Sequence, residues 1–181
     1  MRTNATQKTV RLAFLTAAGI LLQLIESFFP VVMIVPGYKL GLANITGLFT
    51  LYAYGIKDMW IVTGLRVFIA ALAQGTLFSV SFALSLTGGI LGLAAMSLAY
   101  KSGRFSIYGV STAGAAAHSF GQVMAISVIY QQFFMQLYLP VLTALSIVSG
   151  LAIAMLTGML LTRLHFRTGL EERREDGRSV S

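Results

Sequence analysis

The sequence predicts an all-α integral membrane protein with six transmembrane helices and both termini in the cytoplasm. Three observations predict it. The chain is 56% hydrophobic and only 10% charged, against roughly 25% charged residues in a soluble domain. Six apolar segments of near-spanning length divide it, separated by short polar turns. The basic residues gather at alternate turns, as the positive-inside rule requires of an even number of spans.

Six spans of about 20 residues occupy about 120 positions. The 181-residue chain then has room for turns and tails but none for a second domain. We expect a single six-helix transmembrane domain over 1–164 and a charged, flexible cytoplasmic tail over 165–181.

Span 1, residues 9–29, follows a polar start that holds Arg2 and Lys8. A basic start before an apolar run also describes a signal peptide. This run is too long, contains Glu26, and has no small-residue cleavage site after it. Pro30 and Pro36 bracket a short apolar loop, 30–38. Span 2, residues 40–56, is short for a full crossing. Lys57 and Asp58 form a charged turn, with Trp60 as an interfacial anchor. Span 3 covers 59–77 and span 4 covers 81–100. A polar loop, 101–106, leads to span 5, residues 108–129. Gln131, Gln132 and Gln136 then sit among aromatics in an interfacial segment, 130–138. Span 6, residues 140–164, opens on Pro140, where a missing N–H is tolerated. The tail mixes Glu171, Glu172, Arg173, Arg174, Glu175 and Asp176, the composition of a solvated end.

With the N-terminus inside, the inner segments hold eleven of the thirteen basic residues. The outer segments hold only Lys39, and Arg66 lies within span 3. This places a multi-pass protein in the cytoplasmic membrane. The net charge of +7 would point to nucleic acid in a soluble protein; here it reports orientation, and no nucleic-acid partner is expected.

Several chemistries are excluded. There is no GxxxxGK[ST] loop to cradle ATP. The two aspartates, Asp58 and Asp176, are far apart, so no carboxylate cluster can hold magnesium against a diphosphate. Two histidines and no cysteine give no dedicated metal site and no disulfide. No nucleophile, base and acid stand together. The chain carries polar residues for binding and no reaction centre, so we do not expect an enzyme.

The polar residues inside the spans are the candidates. Lys39 sits in the turn Pro36-Gly37-Tyr38-Lys39-Leu40-Gly41, between two membrane-embedded segments. A charge there must face water, a partner or a ligand. Asn44 follows about one turn inside the boundary. A Glu26–Lys39 ion pair that merely pins the loop is the competing explanation. Arg66 lies near the midplane of span 3 with no acidic residue expected at its depth, and Gln74 is assigned to the same face. In span 5, Ser111, Gly114, Ala115, His118 and Gln122 recur at i, i+3, i+4 spacing and share one face. Glycines and serines at 81, 85, 88, 89 and 92 let helix backbones approach closely. A site of Lys39, Asn44, Arg66, Gln74, His118 and Gln122 would suit an anionic or hydrogen-bond-accepting solute. Ala13 and Ala17 form a small-xxx-small patch on span 1 that admits another helix, from this chain or a partner.

The motifs Pro36-Gly37-x-Lys39-Leu40-Gly41-Leu42-Ala43-Asn44, Arg66, Ser85-x-x-Gly88-Gly89 and Gly109-x-Ser111-x-x-Gly114-Ala115-x-x-His118-x-x-Gly121-Gln122 carry a resemblance. The chain resembles the six-span substrate-binding subunits (S components) of energy-coupling factor (ECF) transporters. More closely, it looks like the membrane family called heptaprenyl diphosphate synthase component I, also known as Gx transporters. It departs from that pattern at Ser119, where an asparagine usually follows the histidine. The resemblance implies that Ala13 and Ala17 dock onto a coupling transmembrane subunit. That subunit works with ATPases, which would use the ATP for which this chain has no motif. It also implies an outward-facing solute site capped by the loop 30–39, with Pro36, Gly37, Tyr38 and Gly41 as lid and turn. The family label implies a link to isoprenoid or quinone metabolism.

Three readings follow. The first is an S component that captures a small anionic or hydrogen-bond-accepting solute for an ATP-driven importer. The second is a non-catalytic membrane subunit of a heptaprenyl diphosphate synthase. The third is a scaffold without a solute, against which the intramembrane polar set argues.

Overall fold

The computed structural model describes residues 5–28, 41–131 and 133–178, which are helical throughout apart from short turns. Among the described residues six α-helices follow one another: α1 (Ala5–Ser27), α2 (Asn44–Tyr54), α3 (Ile56–Ala73), α4 (Val80–Ser102), α5 (Ile107–Tyr130) and α6 (Leu139–Arg178). A 3-10 turn, Phe133–Tyr138, precedes α6. The turn Pro36-Gly37-Tyr38 and Lys39 lie outside the described residues.

Three helices, α1, α4 and the first 25 residues of α6, are long and apolar enough to cross a membrane. The other three depart from that standard for visible reasons. α5 has 24 residues, but serine, threonine, glycine, histidine and glutamine dilute it. α3 carries Lys57, Asp58 and Arg66 within its 18 residues. α2 has 11 residues, about 16 Å of helix, roughly half the hydrocarbon thickness of a bilayer.

The side chains are distributed inside out. Thr16, Glu26, Thr50, Arg66, Ser111 and Gln122 are buried, while Phe14, Phe68, Leu72, Leu98, Val128 and Val148 are more than half exposed. In water this arrangement would forfeit the hydrophobic drive to fold. In lipid it is the favourable one, because exposed apolar side chains meet hydrocarbon and polar ones find partners inside. The molecule is a helical membrane protein.

The joint between α2 and α3 departs from the sequence expectation. The turn falls at Gly55, not at Lys57 and Asp58. Gly55 has φ 101° and ψ −179°, a conformation open to glycine alone. Its N–H closes α2 on the Thr50 and Leu51 carbonyls, both at 3.1 Å. Lys57 and Asp58 therefore belong to the first turn of α3, where a carboxylate complements the helix dipole. Asp58 is buried and pairs with Lys8 of α1 at 2.8 Å, so the starts of α1 and α3 lie at one end of the bundle.

That end is closed by apolar packing. Leu48, Leu51, Met59, Met96, Val110 and Ile153 form a buried cluster, flanked by an edge-to-face contact of Tyr52 and Tyr100 with centroids 5.2 Å apart. At the other end of the chain, α6 runs through 165–178 as helix, where the sequence reading placed a flexible tail.

Glycines set the closeness of α4 and α5. A Cβ on Gly88 would stand 2.9 Å from the His118 carbonyl oxygen, one on Gly92 3.0 Å from the Gly114 carbonyl oxygen, and one on Gly121 3.0 Å from Gly88 Cα. The backbones touch, as small residues in membrane helices permit. α6 is held to α5 by Ser111 Oγ donating to the Gly150 carbonyl at 2.7 Å and by a short hydrogen bond between the Ser119 and Ser146 hydroxyls.

Candidate functional site

Above the apolar plug the helices surround a partly enclosed cavity of ≈ 100 Å³, room for several waters at roughly 10–15 Å³ apiece. Every helix lines it. The contributing positions lie near the end of α1, the start of α2, the middle of α3 and of α4, the first half of α6, and along α5. The cavity thus occupies the half of the bundle away from Lys8 and Asp58.

Its floor is apolar, with Leu48, Leu93, Met96 and Ile153, and its walls are polar. The α5 wall is the face read from the sequence spacing: Ser111, Gly114, Ala115, His118 and Gln122 all line the cavity. Ser119 lines it too, joined to Ser146 across the α5–α6 boundary. Ser85 and Gly89 supply the α4 wall. His118 and Ser85 already have interaction partners.

Arg66 is the dominant charge. It is 6% exposed and its aliphatic stem lies against Gly19 of α1, where an added Cβ would come within 2.9 Å of Arg66 Cδ. Nη2 donates to Asn44 Oδ1 at 3.1 Å. Nε and Nη1 have no hydrogen-bond partner among the described residues. The short α2 makes the Asn44 contact possible, because its first residue starts deep enough to meet the middle of α3. Gly41, at φ 76°, turns the chain into α2, and its carbonyl accepts the Asn44 N–H at 2.7 Å.

Of the cavity residues not singled out from the sequence, Thr63 and Glu26 bear most on Arg66. Thr63 lies one turn before Arg66 on α3, and its buried Oγ1 also lacks a hydrogen-bond partner among the described residues. The i, i+3 spacing from Arg66 was its only signal. Glu26 entered the sequence reading only through the competing explanation, a Glu26–Lys39 pair pinning the loop near the outer face. It is buried, lines the cavity with Arg66, and its Oε1 accepts the Gly41 N–H at 2.5 Å. An acidic group therefore does share the cavity with Arg66, contrary to the expectation that none would lie at that depth.

Gln74 stands apart. It caps the C-terminus of α3, is exposed, and is not part of the lining. Eight residues beyond Arg66 is two turns plus roughly 80° of rotation, which carries it off the inner face. Lys39 lies outside the described residues. Ala13 and Ala17 are exposed on the outer side of α1, while Thr16 and Gly19 face inward. Among the described residues no three histidine, aspartate or glutamate side chains gather as metal ligands would.

Fold and site together define a helical membrane protein with a polar, charge-bearing cavity at its centre. The chain matches the family model described as heptaprenyl diphosphate synthase component I over residues 15–160 and belongs to that family, whose members are non-catalytic components. The matched stretch contains every cavity-lining residue, from Gln23 to Ile153. No curated protein and no solved structure matches the chain.

Proposed function

We infer that the protein is a solute-binding membrane component, of the S-component kind, that serves an ECF-type importer. The observation that carries this reading is Arg66. A guanidinium buried at mid-helix depth in a membrane protein is costly unless its donors are used; Arg66 lines the cavity, and two of its nitrogens have no hydrogen-bond partner among the described residues. An anionic or hydrogen-bond-accepting group on a small solute would use them. Asn44, Thr63, His118 and Gln122 stand around the same space, with an apolar floor for the remainder of the molecule.

On this reading the outer face of α1, with Ala13 and Ala17 at its centre, meets a coupling transmembrane subunit. ATPase subunits behind it supply the energy. The protein sits in the cytoplasmic membrane with its basic end inside.

A second reading, a non-catalytic membrane subunit of a heptaprenyl diphosphate synthase, is favoured by the family's description. The two predict different companions. Affinity purification from the native membrane should recover a transmembrane coupling subunit with ATPases on the first reading. A soluble prenyl synthase subunit should be recovered on the second.

A further inference from the structure

Arg66 and Glu26 are both 6% exposed and both line the cavity. They belong to one connected wall. Glu26 accepts the Gly41 N–H, a Cβ on Gly41 would touch Asn44 Nδ2 at 3.2 Å, and Asn44 accepts from Arg66. Yet the ion pair among the described residues joins Lys8 to Asp58, not Glu26 to Arg66. Among the described residues Arg66 keeps two nitrogens unpartnered, and Glu26 accepts the Gly41 N–H on Oε1. A carboxylate has acceptor sites on both oxygens.

We propose that the cavity takes a compact zwitterion, its anionic group on Arg66 and Thr63 and its protonated amine on Glu26. This rests on the solute-binding reading above and narrows it. Glu26 and Arg66 hold opposite charges in one cavity without a direct ion pair between them among the described residues, so each keeps hydrogen-bonding capacity for a group on a solute. A purely anionic solute relieves Arg66 but is repelled by Glu26, and a purely cationic one does the reverse. A molecule carrying both groups answers both. The small cavity volume, ≈ 100 Å³, fits a molecule of amino-acid size better than a long-chain one.

The test uses the full-length protein in detergent and a calorimetric binding panel. The panel comprises small α-, β- and γ-amino acids, their N-acetyl derivatives, which lack the positive charge, and their amides, which lack the negative one. The wild type should bind at least one free amino acid, and lose roughly thirtyfold or more in affinity for either of its derivatives. Glu26→Gln keeps an oxygen to accept the Gly41 N–H while removing the charge. It should erase the preference for the free amino acid over its N-acetyl form and leave the thermal midpoint close to wild type. Arg66→Met should erase the preference over the amide. Equal binding of N-acetyl and free forms by the wild type would overturn the zwitterion proposal while leaving solute binding intact. So would an unchanged preference in Glu26→Gln. Failure of the wild type to bind any member of the panel would overturn the proposal. If the protein also carries no small molecule when purified from its native membrane, the solute-binding reading falls with it.

Discussion

Arg66 of α3 and Asn44 at the head of α2 are joined by one 3.1 Å hydrogen bond from Nη2 to Oδ1. A guanidinium has five N–H donors, so the contact positions the group and leaves most of its capacity unused. The half-length α2 makes this geometry. A full-length second helix would carry its first residue to the membrane surface and away from Arg66.

The adjacent glycines 88 and 89 separate packing from propensity. A Cβ at Gly88 meets Gln122 Cγ at 2.8 Å and the His118 carbonyl oxygen at 2.9 Å, whereas nothing lies within 4 Å of one at Gly89. Gly88→Ala should cost about 1–3 kcal/mol by forcing α4 from α5. Gly89→Ala should be neutral or stabilise by up to about 1 kcal/mol through helix propensity. Thermal unfolding of the two variants in the same detergent checks the contrast.

The Lys8–Asp58 pair ties α1 to α3 with side chains 43% and 10% exposed. With one partner half in solvent, its coupling should be modest, about 1 kcal/mol or less. A double-mutant cycle with Lys8→Met and Asp58→Asn measures it. Asp58→Asn should be the more damaging single change, because Asp58 also complements the N-terminus of α3.

Ala13 and Ala17 are exposed, so enlarging them should not disturb the isolated fold. Ala13→Leu with Ala17→Leu should shift stability by no more than about 0.5 kcal/mol. If α1 docks a coupling subunit, the same double variant should fail to co-purify it. Unchanged co-purification would move the docking surface elsewhere.

The chain has no cysteine, so single introduced cysteines report topology without background. Cysteines at Lys57 and Arg104 should react with a membrane-impermeant maleimide only from the cytoplasmic side. One at Gln74 should react only from the outside. Labelling of all three from one side would contradict an alternating six-span arrangement.

Much of the architecture was legible because apolar run length and turn residues are local properties. The helix beginning at Val80 and the one ending at Tyr130 lie within one residue of the sequence reading, 81 and 129. The inner face of α5 was legible for the same reason, since i, i+3, i+4 spacing fixes a face whatever surrounds it. The rest depends on relations between helices. Glu26 enters the cavity because the α1 face bearing Thr16, Gly19 and Glu26 turns inward, and depth along a helix says nothing about that. Gln74 leaves the site through the drift of a 3.6-residue period over two turns. The Ser119–Ser146 bond joins residues 27 apart on two helices, and neither is distinctive alone. Gly55 was passed over because the charges of Lys57 and Asp58 are the louder turn signal.

The most direct test of the central claim is mass spectrometry of small molecules released from the protein after purification from its native membrane, wild type beside Arg66→Met. Arg66→Met takes the donor from Asn44 Oδ1 and the opposite charge from the Glu26 side of the cavity, so the variant's thermal midpoint is measured beside its ligand and only folded protein is compared. The account predicts a small molecule retained by the wild type and lost from the folded variant. A ligand retained equally by both, or a wild type that carries none, would contradict it.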